Sequence, residues 1–173
     1  MTVGQAVAVK PGDGVGKIDE ITINDEPVGA AKVGENVKIK VKGMNEDQVA
    51  KGYVLTAAEA PCTTTKVFEA QLVLLELLEH RPILTAGYNC VLHLHTAIEE
   101  CSIKELTGEW NKKTSKKKKR KPMFVKSGAV ISARIEVVRS VACEPFAQVK
   151  ATGRFTLRDE GKTIAIGKVL KCE

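Results

Sequence analysis

Aromatic residues make up only 4% of the 173-residue chain, with a single tryptophan. A core built from this sequence therefore rests on Val, Ile, Leu and Ala, within an apolar content of 43% that is ordinary for a globular protein. No apolar run reaches the ~18 residues of a membrane span. Met1-Thr2-Val3-Gly4 has neither the basic start nor the apolar stretch of a signal peptide, so no membrane partner is expected. The five cysteines (Cys62, Cys90, Cys101, Cys143 and Cys172) are odd in number and include no CxxC pair. That usage fits reduced thiols in a cytosolic or nuclear setting better than a disulfide framework.

Catalytic signatures are also missing. "GDGVGKI" has glycines at 12, 14 and 16, but Pro11 stands where a phosphate loop needs its first glycine. Ile18 stands where that loop needs a magnesium-binding hydroxyl. The stretch reads as a turn, and no nucleotide is expected to bind through it. His93 and His95, at strand spacing, fall on one face, but Cys90 falls on the other and no short-spaced cysteine pair completes a zinc site. No Gly-x-Ser-x-Gly elbow is present. The chain is therefore expected to be no enzyme, with no catalytic residue, no metal site and no cofactor of its own.

Positive charge is confined to one place. Residues 111–121, "NKKTSKKKKRK", hold eight of the 27 Lys and Arg and no acid, so the remaining 19 face 21 Asp and Glu, a net of −2. The body is not a basic nucleic-acid binder. The run (Lys112, Lys113, Lys116, Lys117, Lys118, Lys119, Arg120 and Lys121) suits a solvated loop, a set of RNA phosphate contacts or a nuclear-import signal. It carries no aromatic for base stacking.

What remains has the period of strands. "VKIKVKG" alternates Val37, Ile39 and Val41 with lysines, and "GAVISARIEVV" alternates Ile131, Ala133, Ile135 and Val137 with Val130, Ser132, Arg134 and Glu136. Shorter strands are expected at "EITIND" and "GYVLT", with turns at "KPGDGVGK" and "GMNEDQVAKG". In "YNCVLHLHTAIEECSIKEL", Cys90, Leu92, Leu94 and Ile98 are expected on one face, and Val91, His93, His95 and Ala97 on the other. "KVFEAQLVLLELLEHRPI" is locally balanced between helix and strand. The chain closes on "GRFTLRDEGKTIAIGKVL", a hairpin turning at Asp159-Glu160-Gly161. Strands at this spacing point to an all-β sandwich or barrel.

That closing hairpin resembles the end of domain III in eukaryotic translational GTPases, and is most similar to the class II polypeptide chain release factor family. "VGENVKIKVKGMNEDQVAKGYVL", "FEAQLVLLE", "LTAGYNCVLHLHTAIEECSI" and "KPMFVKSGAVISARIEV" resemble domain II and domain III segments of the same family, in the same order. The resemblance implies an elongation-factor-Tu-like domain III β-barrel preceded by a partial domain II β-barrel. Residues 1–61 would be the partial domain, 62–65 a linker and 66–173 domain III, with 66–78 strand rather than helix. The match begins midway through domain II and includes no GTP-binding domain, so the chain reads as a fragment whose half-barrel has unpaired edges.

Translation termination in the cytoplasm is the implied function. GTP and magnesium would belong to the intact parent. Partners would be the C-terminal domain of the class I release factor and the ribosome, with rRNA contact through the basic run. Carried over residue by residue, the partner surface comprises Gly153, Arg154, Phe155, Thr156, Leu157, Arg158 and Asp159. Alternation sends Phe155 and Leu157 to one face and Arg154, Thr156 and Arg158 to the other. Internal organisation of the turn by Arg158 and Asp159 is the bland alternative. Related alternatives are a ribosome-rescue or elongation GTPase; an alternative of another class is an RNA-associated module acting through the basic run.

Overall fold

The computed structural model describes residues 1–110 and 120–173. The chain divides into two compact units, Met1–Cys62 and Thr63–Glu173. Among the described residues no helix is long and apolar enough to cross a membrane.

The first unit is an open antiparallel sheet. Its strands are β1 (Ala6–Lys10), β2 (Val15–Ile23), β3 (Glu26–Val28), β4 (Lys38–Lys42) and β5 (Val54–Ala57). The long β2 pairs with β1, β3 and β4, and β5 pairs with β1. The lysine alternation works as expected. Ile39 and Val41 pack against buried Val7, Ile18 and Ile21, and Lys42 reaches Asp19 at 2.7 Å. β1 was not foreseen, because "AVAVK" is too short for a clear period.

The glycines at 12, 14 and 16 are only partly a turn, since β2 already begins at Val15. A Cβ on Gly16 would fall 2.6 Å from the Lys42 carbonyl oxygen, and one on Gly14 3.1 Å from the Met44 side chain. These glycines let β4 and the segment that follows it lie close against the start of β2 and the turn before it, which explains their spacing without any ligand.

The second unit is a closed barrel. Its strands are β6 (Thr64–Leu74), β8 (Asn89–Leu94), β9 (Ala97–Trp110), β11 (Val130–Ala142), β12 (Arg154–Asp159) and β13 (Lys162–Cys172). They follow one another as β11-β6-β13-β12-β8-β9 and return to β11. A short ribbon of β7 (Ile83–Thr85) and β10 (Phe124–Lys126) stands apart. Every second residue of a strand faces inward. Phe68, Ala70, Leu72 and Leu74 from β6 therefore meet Ile131, Ala133, Ile135 and Val137 from β11 in one core. Closure removes the free edges that an open sheet would expose.

Two expectations need correction here. Residues 66–78 are not all strand: β6 stops at Leu74. Beyond it Leu77 and Leu78 stay buried while the chain turns, and the Leu77 amide is satisfied by the Ser127 hydroxyl at 3.0 Å. Ile98 does not face inward. The His95-Thr96 turn resets the phase, so Ile98 pairs with outward His93 and is 51% exposed, while Ala97 takes the inner place opposite Leu94. His95 lies in that turn, at φ 45°, and not in the strand with His93; its Nε2 is 3.0 Å from the Ala142 carbonyl.

The tightest point of the barrel is Gly167. A Cβ there would sit 2.3 Å from the Phe155 ring and 2.7 Å from Leu72 Cδ2. Gly167→Ala is expected to cost about 1–3 kcal/mol through overpacking. Gly29→Ala, where a Cβ would meet nothing within 4 Å, is the control. Urea unfolding followed by Trp110 fluorescence reads the barrel directly, and a Gly167 variant as stable as wild type would contradict this packing.

Candidate functional site

The closing hairpin, β12 and β13, supplies the residues singled out in the sequence. Glu160 and Gly161 at the turn have φ of 47° and 78°, the paired left-handed geometry that matches the twist of a two-residue hairpin. A register shift between Leu157 and Arg158 precedes the turn.

The seven residues divide into four groups. Phe155 and Leu157 are core: Phe155 meets Phe68 edge-on at 5.5 Å and Leu157 is fully buried. Gly153 is a point of close backbone approach, since a Cβ would lie 2.5 Å from Phe146 Cα and 2.9 Å from the Glu144 carbonyl. Arg158 and Asp159 are engaged internally. The Arg158 Nη2 donates to the Gly161 carbonyl at 2.6 Å, inside the turn, and its Nε is buried without a hydrogen-bond partner among the described residues. Asp159 Oδ2 accepts from the Tyr88 hydroxyl at 2.6 Å and from Arg81 Nη1 at 3.1 Å, while the Arg81 guanidinium lies 4.5 Å over the Tyr88 ring. Arg154 is exposed and Thr156 half-buried; Arg158 and Asp159 are half-buried too, but their side chains are taken up by the contacts just described.

Around those two residues the barrel presents a definite surface. Val73, Ile166, Thr156 and His93 are successive cross-strand partners, forming one row over β6, β13, β12 and β8. Val73 is 42% and Ile166 47% exposed, so the row has an apolar half. The adjacent row runs Gln71, Lys168, Arg154. Phe146, from the segment after β11, lies beside it with the Arg154 guanidinium 5.2 Å and the Lys168 ammonium 6.0 Å from its ring centre. Phe146, Arg154, Lys168, Gln71, Val73 and Ile166 line a shallow depression of about 360 Å³. Neither cation has a carboxylate within salt-bridge reach among the described residues. The surface is thus apolar on one side and cationic on the other, suited to a protein segment with acidic and apolar side chains. Phe146 and Ile166 were missed at the sequence level, because only the folded barrel brings them beside Arg154.

The basic run is described only at its end. Lys112, Lys113, Lys116, Lys117, Lys118 and Lys119 lie outside the described residues. Arg120 is exposed, and Lys121 pairs with Glu105 at 2.5 Å, a hydrogen bond that holds the Glu105 carboxyl below its usual range.

Comparison with known proteins fits this geometry. Residues 67–170, which span the barrel, match the family described as GTP-eEF1A C-terminal domain-like, and the chain belongs to that family. Its relatives are more specific. The chain is 46% identical over 147 residues to the eukaryotic peptide chain release factor GTP-binding subunit of Debaryomyces hansenii, covering 85% of this chain and 20% of that protein. It is 43% identical over 157 residues to the protein of the same name from Candida maltosa, covering 89% and 22%. The crystal structure of sup35 complexed with GDP is similar over 100% of this chain and 41% of that one, with a TM-score of 0.91 and 38% identity. The chain therefore spans about a fifth of the length of these curated relatives. The all-β class expected from the sequence holds, as does the resemblance to the release-factor GTPase family.

Tyr88 offers a test of the Asp159 network. Burial first, and then the hydrogen bond and charge of Asp159, hold its phenol well above the usual value. The stabilisation that follows is fully present below the ordinary phenol value of about 10 and is lost as pH rises through the raised one. Tyr88→Phe removes it. The stability gap between wild type and Tyr88→Phe is expected to shrink in urea titrations above about pH 10. A gap that widens with pH would contradict this account.

Proposed function

We propose that this chain is the binding portion of a translation-termination GTPase: part of its domain II (1–61), a linker (62–65) and its domain III (66–173). The barrel docks the C-terminal domain of a class I, stop-codon-reading release factor and couples it to GTP hydrolysis by a domain absent from this chain. The relatives' printed name supports the termination assignment, and the division into units at Cys62 and Thr63 supports a boundary at that point, although β6 already begins at Thr64, inside the proposed linker. GTP and magnesium belong to the parent protein, the setting is cytoplasmic, and the chain alone is no enzyme.

One observation carries the docking surface: Arg154 and Lys168, which have no carboxylate partner among the described residues, share the Phe146 ring beside the exposed Val73–Ile166 pair. Free cations beside an apolar strip favour a partner that supplies carboxylates and apolar side chains together. The proposed contacts therefore centre on Arg154 and Thr156 within the "GRFTLRD" segment. Gly153, Phe155, Leu157, Arg158 and Asp159 act mainly by holding those two in place. Ribosomal RNA is the second proposed partner, reached through the basic residues of 112–121.

Calorimetric titration with the release factor's C-terminal domain tests this. Arg154→Ala and Ile166→Asp are each expected to weaken binding about tenfold or more, the scale of an interface anchor, with the fold intact. Phe155→Ala is expected to lose about 3–5 kcal/mol of stability instead, because its ring is core. Full affinity in both surface variants would remove this face from the interface. Deleting 112–121 should abolish RNA retention and leave release-factor affinity unchanged. A fluorescent GTP analogue should show no saturable binding to this chain.

A further inference from the structure

Cys143 and Cys172 stand 29 positions apart in the chain, yet their sulfurs are 3.4 Å apart. Cys143 is fully buried at the start of the segment that joins β11 to β12, and Cys172 is half-buried at the end of β13. The same two elements are tied by backbone bonds that hold the docking surface. The Phe146 amide donates to the Val169 carbonyl, and the Val169 amide to the Gly153 carbonyl, each at 2.9 Å. Thr152 Oγ1 donates to Glu144 Oε2 at 3.0 Å, and the missing Cβ of Gly153 admits the backbone of Phe146. The thiol pair thus sits at the root of the 143–153 segment, and that segment places Phe146 beneath Arg154 and Lys168.

We infer that Cys143 and Cys172 form a reversible disulfide clamp that fixes the 143–153 segment to β13. The bond needs the sulfurs to close from 3.4 Å to about 2.05 Å, a movement within reach of side-chain rotation and a small shift of the end of β13. A hydroperoxide is the oxidant. The Cys172 thiolate attacks its oxygen, releasing water or an alcohol and leaving a sulfenic acid. The Cys143 sulfur then displaces the sulfenic oxygen as a second water, so two thiols lose two electrons and two protons and the peroxide gains them. A small-molecule dithiol reverses the reaction by exchange.

The second thiol pair serves as an internal comparison. Cys90 and Cys101 are 3.5 Å apart, but both are buried and lie opposite each other on β8 and β9. The hydrogen bond from Cys90, and then burial, hold the Cys101 thiol far above its usual range, so its thiolate is scarce. Cys172 is the more accessible sulfur, although burial raises its thiol too.

The full chain is treated with hydrogen peroxide and examined by peptide mass mapping and by amide hydrogen exchange. The expected product is a Cys143–Cys172 cross-link, lighter by about 2 Da, that dithiothreitol reverses. Exchange at the Phe146 and Val169 amides should slow at least about threefold in the oxidised form, since a tethered segment opens less often. Cys172→Ser and Cys172→Ala should both lack the cross-link, whereas a Cys90→Ser, Cys101→Ser variant should keep it. The inference is overturned if Cys143 and Cys172 of the treated chain are both alkylated once it is unfolded, if Cys90 and Cys101 cross-link instead, or if exchange at the two amides does not slow. A further arm rests on the docking role proposed above: a pre-ordered segment should bind the release-factor domain about two- to threefold more tightly. If the reduced chain shows no binding, the docking role fails while the cross-link and exchange still decide the clamp. Equal affinity of both forms would deny the clamp any part in docking.

Discussion

A ring fills the place of a missing side chain at the centre of the barrel. Phe155 on β12 projects over Gly167 on β13, within reach of Leu72 on β6, and meets Phe68 edge to face. Three neighbouring strands are keyed together by that one insertion, and their outer faces are set in register by the same contact. Arg154, Lys168 and Gln71 stand in a row because Phe155, Gly167 and Leu72 beneath them can stand no other way. In packing of this density a single added methyl must displace something. The surface that meets a partner is therefore a consequence of the core, and the two cannot be varied independently.

The "GRFTLRD" segment is better understood as two interleaved sets than as one patch. Its inward residues join the core, its outward Arg154 faces a depression shared with Phe146, and its last two tie down the turn. Asp159 anchors Tyr88 and Arg81, and Arg158 closes on Gly161. Both the docking role and the turn-organising role considered from the sequence find residues to carry them, but different ones. Tyr88 and Arg81 lie 71 and 78 positions from Asp159, so this acid joins the last hairpin to the first half of the barrel.

Much of this was legible in the sequence. The alternation of β11 and β12, the lysine-faced β4 and the turn at Glu160-Gly161 follow from a two-residue period and left-handed turn chemistry. Three kinds of feature were not legible. Phase is lost at a tight turn, which is why Ile98 changed sides after His95-Thr96. Strand length is set by partners, so the apolar run through Leu78 could not reveal that β6 ends at Leu74, level with the start of its neighbour β11 at Val130. Close approaches between distant segments leave only a glycine as their trace, and Gly16, Gly153 and Gly167 look alike until each opposing group is seen. Phe146 had no local signal, being a single aromatic in an irregular stretch.

The seam at Thr65 has a broader consequence. The Thr65 hydroxyl donates to the Glu173 carbonyl at 2.5 Å, the Glu173 amide to the Val67 carbonyl at 3.0 Å, and Arg134 holds the Glu173 carboxylate at 2.7 Å. The barrel thus enters and leaves at the same point. A module with adjoining ends behaves like a bead with a single attachment point: it can be spliced into another chain, or its ends fused and new ones opened elsewhere, with little disturbance to its interior. Portability of that kind is one physical reason a barrel can recur in proteins that share little else.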